Sequence, residues 1–298
     1  MSNVQSRERG ASPEAIQQHY DVGSDFYAVW LDRTLTYSCA LWLDGDSDDD
    51  LETAQLRKID HHIISARARR VEHVLDVGCG WGATLKRLVS DYGVRQSTGL
   101  TLSVAQAEHI AAQPDPHIQV RIESWMDHTP DQPYDGIISI GAFEHFVRPG
   151  WTSDEKVSAY RAFFSRCHDW LRPGGCLSLQ TIAYGNLDPD EARNSPGHRF
   201  LLHEIFPETE LPTLGEIVRA ADGLFEFVTL RNDRDDYRRT CRVWFDRLMK
   251  RRTQATTLVG EAVVARYLRY LKLSATLFHY AQTALYRIAF RRLDEPRK

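Results

Sequence analysis

Val74-Leu75-Asp76-Val77-Gly78-Cys79-Gly80-Trp81-Gly82 is the stretch whose reading decides the fold of this chain. The run from Val71 to Val77, which ends in three apolar residues and one acid, reads as a short buried strand, and Ala83 to Ser90 as the helix behind it. Between them glycine takes every second position, which suits a sharp turn that must leave room for a ligand. Strand, glycine turn and helix N-terminus together make a place for a nucleotide-like ligand at the carboxyl end of a parallel sheet. The spacing Asp-x-Gly-x-Gly-x-Gly differs from the dinucleotide pattern Gly-x-Gly-x-x-Gly. Taken alone, the stretch also reads as an ordinary tight strand-to-helix turn.

Downstream the chain alternates. Arg95–Thr101, His117–Ile122, Tyr134–Ile140 and Cys176–Ala183 read as further strands, with helices at Ser103–Gln113 and Asp154–Leu171. Tyr134–Ile140 is almost continuously apolar, as a strand buried on both faces is. Such alternation means a parallel α/β sheet. Leu211–Ala221 reads as a helix, Leu224–Leu230 as a late strand, and Asp235–Leu293 as a long helical region interrupted near Arg252–Leu258. Upstream, Pro13–Leu31 reads as two short helices broken near Gly23, and Thr34–Trp42 as irregular. The acidic Asp44–Asp50 reads as a solvated loop, and Leu51–Arg70 as a helix whose closing arginines suit its dipole. Tyr184–Leu211, punctuated by glycine and proline, is an insertion of the kind that forms lids or substrate walls.

The composition, 42% apolar and 26% charged over 298 residues, is that of a globular protein. A net charge of −4 argues against non-specific nucleic-acid binding. Cysteines 39, 79, 167, 176 and 241 form no C-x-x-C pair, and such a scattered odd set suits a reducing cytoplasm. Met1–Pro13 lacks the apolar core of a signal peptide and reads as a flexible tail. No apolar run approaches a membrane span, so any membrane contact is expected to be peripheral. The histidines show no metal-ligand spacing, and no metal is expected.

Six motifs occur in one order: His19-Tyr20-Asp21; Tyr37-Ser38-Cys39-Ala40; Asp76 to Gly82; Gly99-Leu-Thr-Leu-Ser103 with Gln106; Ser139-Ile-Gly-Ala-Phe-Glu-His-Phe146; and Ile205-Phe-Pro207 with Leu211-Pro212. The glycine turn resembles the first motif of S-adenosylmethionine-dependent methyltransferases. The whole set, from about His19 to Leu248, resembles the cyclopropane fatty acid synthase family, which includes the mycolic acid cyclopropane synthases and related C-methyltransferases. The resemblance implies an α/β, class I methyltransferase (Rossmann-like) fold: a central, mostly parallel sheet with N-terminal helices and a C-terminal helical substrate cover. On that basis residues 14–70 form an N-terminal cover and residues 71–298 the methyltransferase domain. Insertion 184–211 and helices 235–293 would then shape the substrate pocket.

The implied reaction moves the S-adenosyl-L-methionine methyl to an alkene carbon. A double bond is a weak nucleophile with no proton to lose first, and attack leaves a carbocation beside the new methyl. Ring closure needs a base at that methyl and a chamber without water. The resemblance places Tyr37, Ser38, Gly78 and Gly80 around the methionine part and Thr101 and Gln106 near the ribose. Trp125 flanks the adenine, and Tyr20, Asp76, Cys79, Leu102 and Met126 complete the donor site. It places Cys39, Glu144, Tyr237, the main chain of Ile140, and Gln180 around a bicarbonate ion that serves as base. Burial beside Phe143 and Phe146 would raise the Glu144 pKa. By themselves Glu144 also reads as a salt-bridged or capping carboxylate, Cys39 as a core thiol and Tyr237 as a half-buried helix residue.

Two positions depart from the family pattern. Gln180 stands in Leu179-Gln180-Thr181-Ile182 where relatives place histidine, and Met126 stands where they often place glutamate. Glutamine cannot carry charge toward an anion, which leaves ring closure open. The substrate is then an alkene-containing acyl group on a lipid or carrier, or a small specialised metabolite such as a terpenoid or polyketide, methylated without ring closure. A catalytically silent donor-binding protein is a third reading. Tyr184, Phe200, Leu201 and Phe206 are candidates for the substrate wall. The stripe Val263, Tyr267, Tyr270, Leu277, Ala281, Leu285 and Ile288 reads either as core packing or as an acyl tunnel. Arg287, Arg291, Arg292, Arg297 and Lys298 form a basic tail, either a solvated helix end or a contact for anionic lipid or an acidic carrier. Oligomeric state is left open.

Overall fold

The computed structural model describes residues 10–12, 22–43 and 49–296. The expected tail at Met1–Pro13, the first N-terminal helix with His19, Tyr20 and Asp21, and the Asp44–Asp50 loop lie largely or wholly outside these residues, as do Arg297 and Lys298.

Every residue of β1 (His73–Val77) is buried. It pairs in parallel with β2 (Gln96–Thr101) on one side and β4 (Tyr134–Ile140) on the other. β3 (Ile118–Ile122) continues beyond β2, and β5 (Leu171–Tyr184) beyond β4, both parallel. β7 (Thr283–Arg292) then runs antiparallel between β5 and β6 (Phe225–Asn232). The order is β3-β2-β1-β4-β5-β7-β6. Its direction of build reverses between β1 and β4, which opens a crevice at their carboxyl ends.

Alternate residues of each strand feed opposite faces. Val74 and Ile138 pack with Ile59 and Ile63 of α2 (Leu51–Ser65) and Leu88 of α3 (Ala83–Ser90). Leu75 and Ile137 pack with Phe163 and Phe164 of α5 (Ser153–Trp170) and Ile217 of α8 (Leu214–Ala221). Both α5 and α8 begin with a capping box, Thr152–Glu155 and Thr213–Glu216. Ser103 caps α4 (Val104–Ala111). A separate aromatic core joins α1 (Ser24–Trp30) to α9 (Arg234–Lys250), α10 (Arg252–Val259) and α11 (Glu261–His279), through Phe26, Tyr27, Trp30, Trp244 and Tyr267.

Four expectations are corrected. The helical region expected to reach Leu293 ends at His279, and the chain from Thr283 enters the sheet as β7. A strand buried on both faces carries no period of two, so Ala281, Leu285 and Ile288 fell at helical spacing by coincidence. The vacant slot between β5 and β6 decides the matter by offering hydrogen-bond partners to both edges of the strand. The helix expected over Leu51–Arg70 stops at Ser65. Arg67 and Arg70 have φ of 52° and 53°, so these arginines lie past its last turn. The expected break at Arg252–Leu258 is itself helical, flanked by breaks at Arg251 and at Gly260. The insertion is also less irregular than expected, with α6 (Pro189–Asn194), α7 (Pro196–Phe200) and a π turn at Leu201–Ile205.

Candidate active site

A cavity of about 550 Å³ fills the crevice at the ends of β1, β2 and β4. Its floor is the glycine turn. Gly78 and Gly80 have φ of 86° and 53°, and a Cβ on Gly78 would come within 2.6 Å of the Ala142 Cβ. Asp76 closes the strand below them, and burial pushes its carboxyl up to about 7 against the pull of Lys58. Thr101 donates from its hydroxyl to the Gln106 side-chain oxygen at 2.8 Å, which fixes both at the end of β2. Trp125 is held edge to face by Phe163, with ring centroids 5.4 Å apart.

Of the residues assigned to the donor from sequence, Tyr37, Ser38, Asp76, Gly78, Cys79, Gly80, Thr101, Leu102, Gln106, Trp125 and Met126 all line this cavity. Tyr20 lies outside the described residues. Glu123 and Asp127 bring acids to the lining beside Met126.

The Tyr37–Ala40 segment is irregular, so side chains must hold it. The Asp32 carboxylate accepts from the backbone N–H groups of Thr34 and Thr36, and Gln55 donates to the carbonyls of Thr36 and Ser38. Lys58 donates to the Ser38 hydroxyl at 2.9 Å. Ala40 N–H donates to the Thr240 hydroxyl on α9. Gln55, Lys58 and His62 therefore form a buried polar stripe on one face of α2. Sequence reading missed them, although three polar residues at helical spacing on an otherwise apolar face were the available signal. Burial and the charge of Arg287 lower Lys58 to about 8.

The proposed catalytic residues converge from separate elements. Ile140, Gln180 and Arg287 are register partners across β4, β5 and β7. Glu144 follows β4 in a short 3₁₀ turn, where its Oε1 accepts from Ile182 N–H at 2.6 Å while its buried Oε2 has no partner. Burial raises its pKa to about 7 against that backbone bond. Burial pushes the Cys39 thiol to about 12, with Arg287 pulling the other way. Burial likewise lifts the Tyr237 phenol well above its ordinary value. Thiol, phenol and amide are thus neutral at neutral pH, and the carboxyl is poised near its midpoint. Ile140 lines the donor cavity. Tyr237 lines a second, apolar cavity of about 70 Å³ with Ile182, Tyr184, Leu201, Phe206, Tyr270, Leu277 and Phe278. Cys39, Glu144 and Gln180 are buried and line neither cavity; Glu144 accepts from Ile182 of the second lining, and the Gln180 carbonyl accepts from Gly141 of the first.

The basic tail is corrected at its first member. Arg287 is 1% exposed and lies inside the sheet. It is ion-paired to Asp233 and hydrogen-bonded to Gln180 and to the carbonyls of Cys39 and Ala40. Arg291 pairs with Glu226 on β6, and Arg292 donates to the His168 carbonyl. The helical stripe divides. Tyr270 and Leu277 line the apolar cavity, whereas Tyr267 sits in the aromatic core, its hydroxyl 2.9 Å from that of Tyr27. Phe200 packs beneath the Arg269 guanidinium instead of lining the cavity. Among the described residues no group of histidine, cysteine or acid side chains is arranged to hold a metal, and no helix is long and apolar enough to cross a membrane.

The family model described as mycolic acid cyclopropane synthetase matches residues 7–288. Cyclopropane mycolic acid synthase MmaA2 of Mycobacterium tuberculosis is 34% identical over 279 residues, covering 89% of this chain and 92% of that protein. Cyclopropane mycolic acid synthase 1 of the same organism is 35% identical over 279 residues, covering 88% and 91%. The crystal structure of mycolic acid cyclopropane synthase CmaA1 complexed with SAH and CTAB superposes with a TM-score of 0.84 at 33% identity, covering 95% of this chain and 99% of that one. With the crevice, the glycine turn and these matches agreeing over nearly the whole length, the chain belongs to the mycolic acid cyclopropane synthetase family and is an S-adenosylmethionine-dependent methyltransferase of the cyclopropane mycolic acid synthase type.

Proposed function

We propose that the enzyme transfers the donor methyl to an alkene carbon of an acyl substrate and closes a cyclopropane or leaves a methyl branch. One observation carries this reading: Cys39, Glu144, Gln180 and Tyr237 are all buried, with Glu144 bonded to Ile182 of the apolar cavity of about 70 Å³ and Gln180 to Gly141 of the cavity of about 550 Å³. The donor occupies the first, and the alkene enters the second, lined by Tyr237, Tyr270 and Phe278. The alkene π electrons form the new C–C bond as the C–S bond breaks, and the sulfur keeps that bonding pair. A dry wall then protects the resulting carbocation from hydration. Aromatic faces beside it add quadrupole stabilisation.

The residues present fit a bicarbonate ion. Glu144 Oε2 is buried without a partner, and the Tyr237 phenol and the Cys39 thiol, which donates to the Ala40 carbonyl at 3.1 Å and would turn to the ion, are neutral donors. Together with Gln180 and the Ile140 main chain, these groups would hold the ion. Bound there, bicarbonate supplies a base for a proton of the new methyl. The protein's own part is to orient neutral donors toward one point and to keep water out.

A second reading, methylation of a small specialised metabolite without ring closure, gains support from the small apolar cavity. Incubation with methyl-labelled donor and either a lipid extract or small alkenes separates the two. Label in acyl chains supports the first reading, and label only in small products the second. A cyclopropane and an unsaturated branch have equal mass, so fragmentation and proton NMR identify the ring, while a saturated branch is heavier by two hydrogens. Absence of turnover on every alkene offered would overturn both.

A further inference from the structure

We infer that Arg287 is a positioning residue of the active chamber, fixing the Gln180 amide so that its NH₂ group serves as a hydrogen-bond donor to a bicarbonate ion. The inference rests on the bicarbonate reading above. Its basis is a chain of forced donor and acceptor roles. A guanidinium only donates, so the amide atom 2.8 Å from Arg287 Nε is the Gln180 oxygen. The same oxygen lies 3.2 Å from His62 Nε2, which must then carry the imidazole proton. His62 Nδ1 is left as an acceptor, and the Ser178 hydroxyl donates to it at 2.8 Å. Burial lowers the His62 pKa well below its ordinary value, so the ring stays neutral, and the Gln180 oxygen fixes which tautomer it holds.

Two donors thus converge on the Gln180 oxygen, and among the described residues its NH₂ forms no hydrogen bond. The amide cannot rotate without turning that NH₂ against two other donors. Arg287 is itself immobile. It is bound by Asp233 at one Nη and by the carbonyls of Cys39 and Ala40 at the other, the latter at 3.2 and 2.9 Å. The second Nη also lies 3.4 Å from the Cys39 sulfur, so one guanidinium orders two of the five residues placed around the ion. The cross-strand register, Gln180 opposite Arg287, makes the arrangement a property of the sheet.

The test titrates ¹³C-labelled bicarbonate into the full chain saturated with S-adenosylhomocysteine and reads binding by NMR. The native chain is expected to bind saturably. Arg287→Gln is expected to weaken bicarbonate at least about tenfold, the loss of one hydrogen bond to a charged group, while S-adenosylhomocysteine affinity changes less than about twofold. Arg287→Lys, which keeps a cationic donor on a long stem, recovers part of the loss. Unchanged bicarbonate affinity in Arg287→Gln overturns this inference and leaves the bicarbonate reading intact. Absence of binding by the native chain overturns the bicarbonate reading and the inference with it. Should Arg287→Gln fail to fold, Gln180→Glu keeps an acceptor for Arg287 and His62 but has no N–H. Native-like bicarbonate binding by that variant also overturns the inference.

Discussion

At the scale of a single residue, the proposed chemistry centres on Glu144. Its carboxyl is buried, held by one backbone N–H, and poised at about 7. Glu144→Gln keeps the shape and removes the proton equilibrium. Turnover is expected to fall by at least about a hundredfold, the usual scale for losing the group that takes a proton in the transition state, since Glu144 would hold that base. Calorimetry should find S-adenosylhomocysteine affinity unchanged, and a parallel loss of affinity would make Glu144 a structural residue. The same group links stability to pH. The folded carboxyl keeps its proton to about 7, whereas the unfolded one loses it near 4.5. A native state that binds the extra proton is favoured at low pH, so this contribution is complete below about 4.5 and lost as pH rises through about 7. At roughly 1.4 kcal/mol per pKa unit, its full size is about 3 kcal/mol. Urea midpoints of Glu144→Gln relative to the native chain should therefore rise between pH values on either side of that window.

At the scale of the element, the strand–turn–helix unit explains how a short sequence builds a site. Gly78 combines a left-handed φ with an approach to Ala142 that no side chain tolerates. Gly78→Val strains the backbone and fills the floor of the donor cavity. Affinity for S-adenosylhomocysteine is expected to fall by at least about tenfold, since the strain alone costs about 1–3 kcal/mol; native-like calorimetry would show that the turn relaxes. The capping box of α8 is a control whose residues do not line the donor cavity. Thr213→Ala should cost about 1 kcal/mol in chemical denaturation and leave donor affinity alone. Lys58, on the buried face of α2, shows how an element outside the sheet reaches the same cavity by aiming one polar stripe inward.

At the scale of the whole molecule, the ion pair of Arg287 with Asp233 joins the last strand to the start of α9 and, through Cys39 and Ala40, to the N-terminal segment. Breaking a buried pair by removing one partner costs up to about 3–5 kcal/mol; here Asp233 keeps Arg231 as a second partner at 3.0 Å, which puts the expected cost toward the lower end. Arg287→Met should lower the unfolding midpoint accordingly. Arg287→Met combined with Asp233→Leu should recover part of that loss, and additive effects in the double-mutant cycle would mean that the two residues are not coupled.

What the residues determined unaided was local and periodic. The run from Val74 to Gly82 specified a strand, a turn and a helix, since only glycine suits the turn and only a doubly covered strand carries so apolar a run into it. The ordered motifs, with Trp125 and Met126, carried the residues expected at the donor, and those described line one cavity because each lies at a strand end or in an adjoining loop. The tertiary structure alone decided the fate of Thr283–Arg292 and of Arg287. A strand buried on both faces has no alternation to read, and an arginine near a chain end reads as solvated charge until a distant aspartate, glutamine and two carbonyls are folded around it. Periodicity is a property of neighbours in the chain, whereas hydrogen-bond satisfaction in the interior is a property of neighbours in space.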